Sequence, residues 1–485
     1  MKKIKKYLTY LLVILVMGCG LLVSSCFAPK SIVNIAKSGQ DGLTDIYTIY
    51  YSDGTTQNFT VTNGKDGAKG DKGESGKDGI DGEDGQDGVV SKEVTIEDIY
   101  NLYVSEYGNI SYSEFLERYL SISYNDNSEV ISKCLLSSMQ VYSEVTLTEN
   151  NVKGIGFSCG SAVVYRIDSD YSYIVTNYHV VYSEDANEDS PSGIAYRIFG
   201  YVYGSEGYPT SSGSTDSNGY AIYNYGDTGL ELEYIGGSVI YDIAVLRVAT
   251  DALLGVNEDI EAVTLAEDYY VGETAIAIGN PENYGISASE GIVSVEDEFI
   301  TLAIDGVRRN YRSIRMDTAI YSGSSGGGLF NKYGELIGIT NAGNTEDQNI
   351  NYAIPIQIVK GAVNNILDNY DGTNIATVKK PTLGVNVEAL NSKYVYDKDL
   401  GYGKIKDDVR VTSVTTNSIF DKMGVSEGDY ITAIYIGLDK YEVTRYFDIG
   451  DIVLNMRVGD IIKVAYIRDG EDSLSTAYTI KSSDI

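Results

Sequence analysis

Tyr173-Ile-Val-Thr-Asn-Tyr-His-Val-Val181 is the stretch from which the fold of this chain is read. Tyr173 to Thr176 has the apolar, β-branched composition of a short buried strand. A Thr-Asn pair ends the run, and His179 follows, the only histidine among 485 residues. The unperturbed pKa of histidine lies near neutrality, which makes it the usual general base of enzymes. Taken alone, this one is equally a packed or exposed ring beside a strand. Any base-assisted serine chemistry in this protein must run through it.

Working outward, residues 130–370 alternate short apolar runs with clusters of Gly, Asn, Asp and Ser. Ser161 to Tyr165, Ile174 to Thr176, Ile243 to Val248, Thr274 to Ile278 and Glu335 to Ile339 are examples. Many short strands with turn signals predict a mainly β sandwich or barrel. Tyr241-Asp-Ile-Ala-Val-Leu-Arg-Val248 puts Asp242 in front of a buried strand pattern, where by itself it reads as a solvated strand-start residue. Asp317-Thr-Ala-Ile-Tyr-Ser-Gly-Ser-Ser-Gly-Gly-Gly-Leu329 puts Ser325 in a glycine-rich loop, by itself a turn. Together they give the order His, Asp, Ser, the triad order of two-barrel serine proteases.

These segments resemble the HtrA (DegP-like) family of trypsin-fold serine proteases. Thr176-Asn-Tyr-His-Val180 is similar to the family's histidine motif, Asp242-Ile-Ala-Val-Leu246 to its aspartate motif, and Gly323-Ser-Ser-Gly-Gly327 to its nucleophile motif; Ala277-Ile-Gly-Asn-Pro281 matches a preceding segment. The likeness spans roughly residues 135–485. It implies a chymotrypsin/trypsin-like double β-barrel, with Ser325 as nucleophile, His179 as general base and Asp242 orienting the imidazole. It also implies an oxyanion hole at Gly323, Ser324 and Ser325, the N–H groups of Gly323 and Ser325 being the main donors. Ile320 matches a position lining the S1 pocket, which implies cleavage after small or medium aliphatic residues. The sequence departs from the family where Ser324 replaces a usual Asn, Gly328 a common Pro, Tyr321-Ser322 an Asn-Pro-like pair and Ala162 a typical Gly. None of these removes a catalytic side chain. Residues 203–229, rich in Gly, Ser, Thr, Asn and Tyr, resemble the family's variable loop and are expected to be mobile.

The last hundred residues read as a separate module behind linkers at 368–373 and 379–381. Thr382-Leu-Gly-Val-Asn-Val387 resembles the carboxylate-binding loop and groove strand of a PDZ domain, so Thr382, Leu383, Gly384 and Val385 are the expected peptide groove. Such domains capture peptide C-termini by strand addition.

Upstream, Lys2, Lys3, Lys5 and Lys6 precede an apolar run from Leu8 to Val23, closing with Val23-Ser-Ser-Cys26. This resembles a lipoprotein signal with Cys26 as the lipidated residue; an ordinary secretory signal or an uncleaved anchor are the other readings, and all three export the chain. Cys134 and Cys159 would then leave the reducing cytosol, where a bridge between them is allowed but not dictated. Ile46 to Tyr51 and Asn58 to Thr62 predict a hairpin. Residues 64–88 carry glycine at every third position. That is the collagen period, although the run is short and contains no proline; a triple helix and a flexible acidic spacer both fit. Ile96, Ile99, Tyr100, Tyr103, Phe115, Leu116 and Leu120 recur at helical spacing.

The expected domains are therefore a signal (1–25), a small β segment (26–63), a collagen-like spacer (64–88), a helical adaptor (89–125), the protease (126–372) and a PDZ domain (380–485). The net charge of −32 opposes nucleic-acid binding. One histidine and four cysteines leave no zinc cluster, and no metal or cofactor is expected. The function implied is an exported, membrane-tethered endopeptidase of the cell envelope acting on misfolded or partly unfolded proteins, with peptide C-termini bound at the PDZ domain. Both the triplet repeat and the family point to a homotrimer. The alternative is a collagen-like surface protein presenting an inactive protease-like scaffold for binding.

Overall fold

The computed structural model describes residues 32–41, 44–51 and 56–62, Tyr100 and Val104, and 127–485 apart from 150–151, 344–346, 348 and 399. The expected signal, Cys26, the triplet run and, save those two residues, the helical adaptor lie outside the described residues. The N-terminal unit is a three-stranded antiparallel sheet in the order Ile32–Asp41, Thr44–Tyr51, Thr56–Thr62. The predicted hairpin is its second half, with Ile46 opposite Thr60 and Tyr47 opposite Phe59. The first strand was not anticipated; it gives the pair the third partner that an isolated hairpin lacks.

Residues 138–377 build two mainly antiparallel sheets, each with one short parallel pair at its edge. The first has eight strands. At its centre, Tyr171–Thr176 lies between Val152–Ile167 and Ile243–Ala249. All five strands predicted from apolar runs are present, although Val152–Ile167 extends far upstream because its glycine-rich half pairs with Ser138–Glu149. The second sheet has seven strands and closes on itself where Glu335–Gly343 pairs with Asn351–Pro355. Alternate side chains of both sheets turn inward: Val175, Ile243, Val245, Ile276, Leu329 and Ile339 are all fully buried. The fold is mainly β and of the trypsin-like kind. One sizeable helix, Ile356–Asn369, buries Ile356, Val359, Val363 and Ile366 on one face, the spacing a helix needs to cover a sheet.

Residues 203–229 carry more regular structure than their composition suggested. They contain a hairpin, Thr210–Thr215 with Ala221–Asn224, and bury Tyr220 and Tyr225. Tyr225 stacks on Phe199 at 3.7 Å, and its hydroxyl donates to Glu144 at 2.8 Å. Apolar anchoring by tyrosine thus overrides the loop-forming residues around it. Cys134 and Cys159 are both free thiols.

The C-terminal module is a seven-stranded sheet with helices Ile419–Met423 and Asp448–Val453, consistent with a PDZ-like arrangement. Ser418 caps the first helix by accepting from Asp421 N–H at 3.3 Å. The sheet's edge is a long hairpin, Val385–Asp397 with Tyr402–Val414. The hairpin reaches the protease sheets, where Tyr402 stacks on Tyr270 with ring centroids 3.9 Å apart. Arg312 bridges Asp297 and the module's Asp451, and Arg445 pairs with Glu296 and, at 3.1 Å, with Asp407.

Candidate active site

Strand register brings the first two candidate residues together. Thr176 pairs with Ala244, so the end of one strand and the start of its antiparallel neighbour leave the sheet side by side. Three residues past Thr176, on a single 3-10 turn, sits His179; two before Ala244 sits Asp242. His179 Nδ1 lies 2.8 Å from Asp242 Oδ2, and the His179 backbone N–H donates to Oδ1 at 3.0 Å. Because Nδ1 faces a carboxylate, it carries the proton and Nε2 presents the lone pair. Asp242 is wholly buried and adopts φ +52°, a region that ordinary residues avoid. Asn177 holds this backbone by donating its amide to the Asp242 carbonyl at 3.0 Å. Burial alone would lower the His179 pKa; the charge of Asp242 and its hydrogen bond outweigh that and hold the pKa above the ordinary imidazole value.

Ser325 approaches from the second sheet. Gly328 pairs with both Ile278 and Ile339, which sets the 322–327 loop beside Thr340 and Asn341. Ser325 Oγ donates to the Asn341 carbonyl at 3.0 Å, and the amide of the same Asn341 donates to Asp242 Oδ2 at 3.0 Å. Asn341 thus connects the serine to the His–Asp pair, while among the described residues Ser325 and His179 share no direct hydrogen bond. The loop is clamped from the first sheet by Ser161. Its N–H donates to the Ser325 carbonyl at 2.8 Å, its hydroxyl donates to the Gly323 carbonyl at 2.7 Å, and that hydroxyl accepts from Asn280 N–H at 2.8 Å. Gly326 has φ +88°, and a Cβ there would lie 2.1 Å from the Ser161 carbonyl oxygen, so no other residue fits.

Of the three expected oxyanion donors, Gly323 N–H and Ser325 N–H have no partner among the described residues. Ser324 N–H is a correction: it is spent on the Tyr321 carbonyl at 2.9 Å, inside a tight turn. Ile320 lines a cavity of about 120 Å³ together with Ile278, Ala319, Tyr321, Ser289 and Ser324. The cavity is small and largely aliphatic. Sequence reasoning missed Asn341, Ser161 and Asn177. Asn177 lay within the quoted histidine stretch; the other two occupy strand positions with no local signal. Among the described residues no group of three or more His, Cys, Asp or Glu side chains is placed to hold a metal.

In the C-terminal module, Val385 begins the edge strand, whose only strand partner among the described residues is Tyr402–Val414. Leu383 is buried, and its carbonyl accepts from Phe420 N–H at 3.1 Å; the Gly384 carbonyl accepts from Thr415 N–H at 2.8 Å. Thr382 N–H is used by the Asp484 carbonyl at 3.0 Å, whereas the N–H groups of Leu383 and Gly384 have no partner among the described residues.

Residues 160–339 match the family model for a trypsin-like peptidase domain. The Serine protease Do-like HtrA of Lactococcus lactis subsp. lactis is 26% identical over 67% of this chain and 71% of its own length. That of Lactococcus lactis subsp. cremoris is 25% identical over 79% of this chain and 91% of its own length. The Periplasmic serine endoprotease DegP of Escherichia coli is 28% identical over 64% of this chain and 55% of its own length. With a trypsin-like peptidase domain and these relatives, the chain is a serine endopeptidase, a homologue of the HtrA serine proteases.

Proposed function

We propose that Ser325, His179 and Asp242 are the triad of this peptidase. The observation that carries the reading is the buried Asp242 carboxylate. It receives His179 Nδ1, His179 N–H and the Asn341 amide, which fixes both the tautomer and the direction of the ring. In the reaction the Ser325 hydroxyl leaves the Asn341 carbonyl and donates to His179 Nε2. Oγ attacks the scissile carbonyl, His179 takes the proton, and the negative oxygen forms against Gly323 N–H and Ser325 N–H. His179 then gives its proton to the leaving amine. Water repeats the sequence and frees the acyl product. The small aliphatic cavity beside Ile320 suits a small or medium aliphatic side chain on the acyl side of the scissile bond.

In the same reading, substrates are misfolded or partly unfolded proteins of the cell envelope, and Thr382, Leu383, Gly384 and Val385 form a groove for peptide C-termini. The two unpaired amides of Leu383 and Gly384 suit a carboxylate, and the free strand edge suits the peptide behind it. Lipidation at Cys26 would tether the enzyme to the membrane, and a homotrimer is the assembly proposed. The test is hydrolysis of casein and labelling by a fluorophosphonate, for wild type beside Ser325→Ala, with and without peptides ending in a free carboxylate. Wild type inert in every condition would leave only the inactive-scaffold reading.

The pH dependence follows from the His179 pKa. Attack needs neutral His179, so kcat/KM rises with pH and levels off above that pKa, which Asp242 holds above the ordinary imidazole value. Asp242→Asn removes the charge that raises it. In that variant the acidic limb of the profile is expected to move to lower pH while the plateau falls by about 10⁴. An acidic limb that stays in place would count against Asp242 as the partner.

A further inference from the structure

The N–H groups of Gly323 and Ser325 must point the same way to meet one oxyanion. In a planar trans peptide the carbonyl and the N–H of one unit point in opposite directions, so holding the carbonyl aims the N–H. The unit carrying Ser325 N–H is held through the Ser324 carbonyl, which accepts from Thr340 Oγ1 at 2.6 Å and from Gly327 N–H at 3.0 Å. The unit carrying Gly323 N–H is held through the Ser322 carbonyl, which accepts from Glu282 N–H at 2.6 Å. The aim of Gly323 therefore depends on where Glu282 is placed.

Glu282 belongs to the short turn Pro281–Asn283, and its backbone is unusual. Glu282 has φ +53° and Asn283 φ +60°, two successive non-glycine residues in the left-handed region. Such a backbone persists only where its surroundings impose it. Three side chains do so here by converging on one atom. Gln140 Nε2, Tyr142 Oη and Asn280 Nδ2 each donate to Asn283 Oδ1 at 2.9 Å. Gly285 N–H donates to Asn280 Oδ1 at 2.9 Å, which fixes the orientation of that amide and leaves its Nδ2 facing Asn283. Gln140, Tyr142 and Asn280 are all essentially buried, and the first two lie on Ser138–Glu149 of the first sheet. From the 203–229 loop, the Tyr208 hydroxyl adds a donor to the Asn283 carbonyl at 3.1 Å.

We propose that Asn283 is a positioning residue for catalysis: pinned by Gln140, Tyr142 and Asn280, it holds the Pro281–Asn283 turn so that Glu282 N–H fixes the Ser322 carbonyl and aims Gly323 N–H at the oxyanion. It rests on the reading of Ser325 as nucleophile. Gln140, Tyr142, Asn280 and Asn283 do not line the cavity beside Ile320, so the role is assigned to the transition state and not to substrate binding.

The test uses the full-length protein, a peptide substrate and the separation of kcat from KM. Asn283→Gly keeps the left-handed backbone accessible and removes the acceptor. The expected result is a fall in kcat of about tenfold or more, short of the 10² to 10³ seen when an oxyanion donor is lost outright, with KM unchanged. Asn283→Asp keeps an oxygen for the three donors and is expected to recover most of kcat. Tyr142→Phe removes one donor and leaves the ring packed against Tyr201 and Tyr225; it is expected to lower kcat by a smaller factor and carries the comparison if Asn283→Gly does not fold. Wild-type kcat in both Asn283→Gly and Tyr142→Phe overturns the proposal and leaves the triad standing. Equal losses in Asn283→Gly and Asn283→Asp that follow the melting temperature overturn it too, because they mark a merely structural role. A wild type inert toward substrate and fluorophosphonate alike overturns the nucleophile reading and this proposal with it.

Discussion

Alanine at His179 is expected to lower kcat by about 10⁴ to 10⁶, and alanine at Ser325 to do the same. The two losses should not multiply, because nucleophile and base act as one unit; the double variant should be no slower than the worse single one. What remains would be the contribution of the oxyanion N–H groups and of binding. His179→Ala has a clean interpretation here. The ring is one third exposed, and among the described residues it belongs to no group placed to hold a metal and has Asp242 as its one side-chain partner. Its removal leaves Asp242 with the backbone N–H of residue 179 and the Asn341 amide, which still hydrogen-bond both oxygens of the buried carboxylate. Casein hydrolysis followed beside a thermal melt checks this: activity should vanish while the melt moves little. A variant retaining a tenth of wild-type activity would rule out His179 as the base.

The second large effect concerns stability. Arg312 is 7% exposed and sits between Asp297, on Ser287–Ala303, and Asp451, on the helix Asp448–Val453 of the C-terminal module. Its guanidinium also lies 4.3 Å from the centre of the Phe447 ring. Arg312→Ala takes the paired cation from Asp451 and leaves Asp297 with Arg445 alone, at 4.0 Å, and the expected loss is about 3–5 kcal/mol. Arg312→Ala combined with Asp451→Ala should recover part of it, since the second change removes one of the uncompensated charges. The deficit should also depend on pH. Burial pushes Asp297 up to about 6, above its unfolded value, despite the opposing pull of Arg312 and Arg445. The folded state therefore keeps this proton longer than the unfolded state, and its contribution falls as pH rises from about 4 to about 6. Without Arg312 the carboxyl is pushed higher still, so the deficit should grow as pH rises and shrink toward about pH 5. Denaturant titrations of wild type and variant at several pH values measure this; a deficit independent of pH would mean that Arg312 acts through packing alone.

The core of the site was legible because each candidate residue rides on a segment with its own physical signature. His179 and Asp242 flank apolar strands whose pairing is set by burial, and once Thr176 meets Ala244 the two side chains have little choice but to meet. Ser325 lies in a glycine run that only a tight loop explains. The residues that organise these three were not legible. Asn341 and Ser161 each act through one backbone group and one side-chain atom across more than one strand, and nothing in their local composition announces it. Ser324 N–H looked available from the motif, but turn geometry closes it onto Tyr321. The contact between Arg312 and Asp451 spans 139 residues of chain, and one arginine among the four of Arg308–Met316 reads as a solvent-facing charge. The 203–229 loop misled in the opposite direction. Its Gly, Ser and Asn content gives no sign of regular structure, yet it contains a hairpin and buries Tyr220 and Tyr225.

The hydrogen bond from His179 Nδ1 to Asp242 gives this protein a built-in spectroscopic probe. A proton shared between an imidazole and a buried carboxylate resonates far downfield of every amide. In most enzymes that signal must be disentangled from other rings. Here there is no second imidazole, so one resonance, without isotope editing or mutagenesis, would report the protonation of the base, its displacement when an inhibitor binds, and any change that reaches it from the C-terminal module.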